Sequence, residues 1–229
     1  MLVSVFALWF AIGCGSDSEE DGIDFYSGTA SAALGDPDNE ARCATCHSAD
    51  GSVGRSGASF KDIAFRASFK GGDAPNLLAA ANACVGGWMA GTPLTEDDER
   101  WQKLEAYLVS ISNAGVTTPN ALAPEVLANE AAYESAYAGG DATAGAAKYA
   151  TFCAQCHSGG LRVGMVTAPA KVTFKALTAG RIAQQVRTSG PPPSGMADPS
   201  DSTPGPMPFF EPDELSAQDL KDIIAHVRR

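Results

Sequence analysis

Two segments of this 229-residue chain repeat one pattern, Cys43-Ala-Thr-Cys46-His47 and Cys153-Ala-Gln-Cys156-His157, 110 positions apart. With only six Cys and three His in the chain, chance placement gives far less than one copy. Cys-x-x-Cys sets two thiols on one helical turn, and the His that follows brings an imidazole to the same spot. Whatever fold the chain takes must present that constellation twice.

A zinc or redox Cys-x-x-Cys is one chemistry to weigh. Zinc asks for a second pair of ligands near each motif, and neither copy has one in sequence. The pattern is instead that of covalent c-type haem attachment. The cysteines form thioethers to the vinyl groups and the imidazole meets the iron on the proximal side. Two haems are therefore expected, attached through Cys43, Cys46, Cys153 and Cys156, with His47 and His157 as iron ligands.

The length suits two domains of about 90 residues each. Domains so small bury a limited core, and a covalent haem supplies apolar contact at the centre of each. The net charge of −11 argues against nucleic acid or an anionic lipid surface as partner. A redox protein with a basic docking surface is the electrostatic complement. The two cysteines outside the motifs, Cys14 and Cys84, are far apart and differ in setting, which leaves no disulfide framework. Thioether attachment implies maturation outside the cytoplasm.

Residues 1–13 form an apolar run too short to span a bilayer, the form of a signal-peptide h-region. Its ending, Ala11-Ile12-Gly13-Cys14, resembles a bacterial lipobox. That resemblance implies lipidation of Cys14 and membrane attachment through an N-terminal anchor, in the periplasm or cell envelope. An ordinary signal peptide cut nearby is the other reading, and no Lys or Arg precedes the run. Residues 14–30 read as an acidic, solvated tether.

The first haem segment spans 31–112. Asp36-Pro37 suits a short helix start before Cys43, and Asn76–Cys84 is alanine-rich and helical in pattern. Thr95-Glu-Asp-Asp98 caps a last helix whose apolar stripe is Trp101, Leu104, Tyr107, Leu108 and Ile111. Residues 113–139 read as a linker containing a short helix over Glu125–Tyr137. The second segment spans 140–229. It opens on a helix with Gly145, Tyr149 and Phe152, passes a proline-rich loop and ends on a helix capped at Ser216 with Leu220, Ile223, Ile224 and Val227 in its stripe.

On these motifs both halves resemble small class I cytochrome c domains, and the chain is similar to a dihaem cytochrome c. The resemblance implies an all-α fold: two small helical domains, each wrapped around a haem, with first and last helices crossing.

The sixth iron ligands are then sought among the sulfurs. In the second unit Met165, Met196 and Met207 are available. Met207, in Pro-Met-Pro-Phe, resembles the Met loop of class I cytochromes. His226 has the place that Tyr107 holds in the first final helix and reads as a packing residue. In the first unit Cys84 and Met89 both lie between motif and final helix. Asn82-Ala-Cys84 followed by Met89-Ala-Gly-Thr-Pro-Leu is similar to the ligand loop of thiosulfate-oxidising cytochromes, where cysteine binds iron. Either sulfur remains open here.

An electron carrier is the leading expectation, with no catalytic residue of its own. The alternative is a thiosulfate dehydrogenase-like oxidoreductase using a Cys-ligated haem, with Arg55, Arg66 and Lys70 as an anion site. A dihaem peroxidase is a third class, but its usual length exceeds this chain's.

Overall fold

The computed structural model describes residues 17–29, 34–189 and 207–229, with side chains from residue 22 onward. The signal-peptide and Cys14 readings, and Met196, lie outside the described residues. The described chain is all-α save for one two-stranded hairpin.

The first unit holds α1 (Asp17–Ser27), α2 (Cys43–His47), α3 (Leu77–Gly87) and α4 (Glu99–Ile111). Asn76 caps α3 by accepting from Ala79 N. Asp98 caps α4 by accepting from Arg100 N, three residues later than expected, because the Thr95 hydroxyl donates instead to Asp97 at 2.6 Å. Trp101, Leu104, Tyr107 and Leu108 are buried as the helical spacing requires.

The tether reading of 14–30 is corrected over Asp17–Ser27. This segment is helix α1, and it packs across α4. Tyr26 is fully buried, and a Cβ placed on Gly22 would stand 2.3 Å from Lys103 O. The acidic residues hid a narrow inward face of Gly22, Phe25 and Tyr26. No helix forms between Asp36-Pro37 and Cys43. There Asp36 and Asn39 make turns, accepting from Asp38 N at 2.8 Å and Ala41 N at 2.9 Å through their side chains.

The second unit holds α5 (Glu130–Tyr137), α6 (Ala144–Phe152), α7 (Ala154–His157), β1 (Arg162–Val163), β2 (Val166–Thr167), α8 (Ala179–Thr188) and α9 (Ala217–Val227). Ser216 caps α9 by accepting from Asp219 N at 3.1 Å. α6 and α9 cross at Gly145, just as α1 and α4 cross at Gly22. Helix α5, read as part of a linker, belongs to this unit. Its Tyr133 and Tyr137 are buried against α8. Arg187 of α8 is fully buried and held there by Tyr137 Oη at 2.9 Å and by the carbonyls of Phe210 and Glu211 at 3.0 and 3.1 Å. Glu125, 3.5 Å away, balances its charge.

No helix among the described residues is long and apolar enough to cross a membrane.

Candidate haem-binding site

The crossed helices hold each Cys-x-x-Cys-His turn in place. In the first unit Tyr26 of α1 donates to Ser48 O at 2.9 Å and Tyr107 of α4 donates to Asp50 O at 2.8 Å. Both tyrosines thus grip the chain immediately after His47. Inside the motif, Thr45 Oγ1 accepts from Arg42 N at 3.0 Å, which starts the α2 turn. In the second unit α6 breaks at Cys153 and α7 begins. His157 N then closes its turn on Cys153 O at 3.0 Å.

Both imidazoles are oriented in one way. His47 Nδ1 donates to Ala58 O at 2.7 Å, and His157 Nδ1 donates to Pro169 O at 2.7 Å. The carbonyls lie 11 and 12 residues downstream of their histidines. A proton held on Nδ1 leaves the Nε2 lone pair for a metal. Aromatic rings fix the tilt: His47 stacks on Phe60 at 3.9 Å, while Phe174 meets His157 edge-on at 4.9 Å. Gly57 lies so near His47 that a Cβ would stand 2.4 Å from its ring. Burial lowers the His47 pKa to about 4 and lowers that of His157 as well, favouring the neutral ring at both.

The cysteines share this apolar setting. Burial pushes the Cys43, Cys46 and Cys153 thiols up to about 12, and raises Cys156 too. All five described cysteines are free. Among the described residues no cluster of three or more His, Cys, Asp or Glu is arranged to hold a metal ion.

A cavity of about 430 Å³ opens beside the second motif, within the ~300–1,000 Å³ of cofactor pockets. Cys153, Cys156, His157 and Met207 all line it, among apolar side chains that include Tyr149, Phe152 and Phe210. Arg181 also lines it. One of its terminal nitrogens is satisfied by Gln185 at 3.0 Å, and the other is buried without a partner. An apolar space of this size with thiols, a free imidazole nitrogen and a guanidinium that has one unpartnered nitrogen fits haem c and its propionates. In the first core the Trp101 indole N–H is likewise buried without a partner.

The structure separates the sulfur candidates of the second unit. Met165 is 84 % exposed at the hairpin turn. Met207 shares the cavity with His157, its backbone carbonyl accepting from the Ser189 hydroxyl. His226 stays out of the cavity lining. It lies between Ala142 O, 3.2 Å from Nδ1, and the Lys171 ammonium, 2.7 Å from Nε2.

In the first unit Cys84 lies on α3 facing the motif, close enough to raise the pKa of both Cys43 and Cys46. Met89 is 3 % exposed and begins the turn after α3 by donating its N–H to Cys84 O at 3.1 Å. Of the three cations suggested for an anion site, Lys70 acts on both His47 and Cys84. Arg66 is committed elsewhere, donating to Asp62 O at 2.9 Å and to Thr118 O at 3.2 Å.

Residues 140–227 match the family described as cytochrome c oxidase, cbb3-type, subunit III. Over those residues the second unit is similar to a cytochrome c domain. Such a domain transfers electrons and carries covalently bound haem c. Comparison with curated protein sequences returns no match. Among solved structures the chain is similar to the as-isolated thiosulfate dehydrogenase TsdBA of Marichromatium purpuratum, with a TM-score of 0.44 and 18% identity. The alignment covers 95% of this chain and 47% of that one, so the chain spans about half of that protein's length.

Two things escaped the sequence reading. Helix α8, which walls the cavity with Ile182, Gln185 and Val186, was signalled by the Thr178 cap and the i, i+4 pair Ile182 and Val186. The hairpin Arg162–Thr167 had no comparable signal.

Proposed function

We propose that the chain is a dihaem c-type cytochrome that carries electrons, one per haem, in the bacterial cell envelope. The observation that carries this reading is the paired orientation of His47 and His157, each donating Nδ1–H to a backbone carbonyl at 2.7 Å. A lone Cys-x-x-Cys would not call for that arrangement, and it occurs at both motifs.

Bound haem supplies one-electron chemistry at an iron whose potential its axial ligands set. The residues of the chain hold and shield it. Cys43 with Cys46, and Cys153 with Cys156, attach the two groups; His47 and His157 present Nε2. Met207 closes the second site with a thioether. Cys84 or Met89 closes the first. Arg181 receives acidic substituents in the second pocket, while Phe152, Phe210 and Ile182 exclude water. Redox partners dock through a basic surface against this acidic chain, and the Cys14 lipid anchor keeps it at a membrane.

One observation favours a second reading, a thiosulfate dehydrogenase-like oxidoreductase: Cys84 faces the first motif with Lys70 nearby. A reduced-minus-oxidised spectrum recorded with thiosulfate and then with peroxide separates the two. A carrier shows haem bands that respond to a generic reductant and to neither substrate. Reduction driven by thiosulfate gives the enzyme.

A further inference from the structure

The cavity beside the second motif is not walled by the second unit alone. Ser56 and Trp88, both from the first unit, line it together with His157 and Met207. Ser56 is 7 % exposed, and its hydroxyl lies against the Cys46 thiol of the first motif.

What brings the two units together is the hairpin β1–β2, which leaves its own unit and enters the first. Val163 is 5 % exposed within the first unit's core, where Leu161 and Cys156 also pack. Gly164 N donates to Trp88 O at 2.5 Å, and Asn39 Nδ2 donates to Gly164 O at 3.0 Å. Arg162 N donates to Glu40 Oε2 at 3.1 Å. Gly164 has φ +57, and a Cβ on it would stand 2.4 Å from Gly87 O. Only glycine meets both requirements there. The hairpin therefore grips the Gly87–Trp88 turn from one side while Trp88 reaches the cavity on the other.

We propose that the second haem site is composite: the first unit finishes it, with Trp88 as an apolar wall and the hairpin Arg162–Thr167 as the clamp that holds that wall in place. The proposal rests on the dihaem reading above. Its consequence is electrostatic. Water in a haem pocket stabilises the more highly charged ferric state, so a wall that keeps water out raises the potential. Trp88 is thus a positioning residue that tunes a site in the other half of the chain.

The test uses the full-length, haem-loaded protein in a spectroelectrochemical titration. The second haem is identified as the one missing from a C153S/C156S chain. Trp88→Ala is expected to shift its ferric-to-ferrous ratio at fixed applied potential about tenfold toward ferric, which is about 59 mV for one electron. Trp88→Phe should restore most of the wild-type ratio. Asn39→Leu and Gly164→Ala, which leave the cavity lining untouched, should shift the second haem the same way by loosening the clamp. The proposal is overturned if the second haem of Trp88→Ala titrates as wild type, or if only the first haem moves. A wild-type chain bearing a single haem overturns the dihaem reading instead.

Discussion

Gly145 lies against Asp222 so closely that a Cβ on the glycine would stand 1.9 Å from the Asp222 carbonyl oxygen. The contact is the crossing point of α6 and α9. The Asp222 side chain strengthens it by accepting from Asp141 N at 2.8 Å. Its counterpart in the first unit is Gly22 against Lys103 O at 2.3 Å. Each haem motif thus hangs from a pair of helices that approach through a glycine.

Gly145→Ala should push α6 away from α9 and cost about 1–3 kcal/mol, the usual penalty of overpacking. Thermal unfolding of the haem-loaded protein followed in the near-ultraviolet checks this. Gly159→Ala is the control, since nothing lies within 4 Å of the position a Cβ would take there.

Arg187→Ala should destabilise the second unit by about 3 kcal/mol. Removing one partner of a buried pair costs ~3–5 kcal/mol, and Glu125, whose side chain is 32% exposed, recovers part of that by hydration. Tyr137→Phe removes the hydroxyl that accepts from Arg187 Nε and donates to the Glu125 carboxylate, and should cost about 1–3 kcal/mol. Urea unfolding midpoints at constant m-value separate the two.

How much of this was legible beforehand depended on how local each signal was. The haem motifs and the stripes of α4 and α9 could be read directly, because Trp101, Leu104, Leu220 and Ile223 recur at helical spacing and all are buried. Helix α1 was hidden by its own charge: the acidic run from Asp17 to Asp24 outweighed an inward face only Gly22, Phe25 and Tyr26 wide. Tyr133 and Tyr137 looked like part of a linker because the helix they pack against, α8, lies far along the chain; its Arg187 is 50 residues from Tyr137. The hairpin was illegible in principle. Val163 is buried in a core whose other buried residues all lie before position 109, and no local pattern encodes that meeting.

The axial ligand of the first site divides two sulfurs that both sit near the motif. Cys84→Ala should abolish a low-spin thiolate signal in the electron paramagnetic resonance of the oxidised protein and raise the first haem's potential. Met89→Ala should leave that signal in place and cost stability, because its side chain is buried at 3 % exposure. The opposite pattern assigns the iron to Met89 and removes most of the case for thiosulfate chemistry.

The central claim, two covalent haems held by one chain, is tested most directly by the intact mass of the denatured protein. The account predicts a mass equal to the processed polypeptide plus two haems. It also predicts the loss of one haem in a C153S/C156S chain and of the other in a C43S/C46S chain. A wild-type mass carrying a single haem, or none, would contradict it.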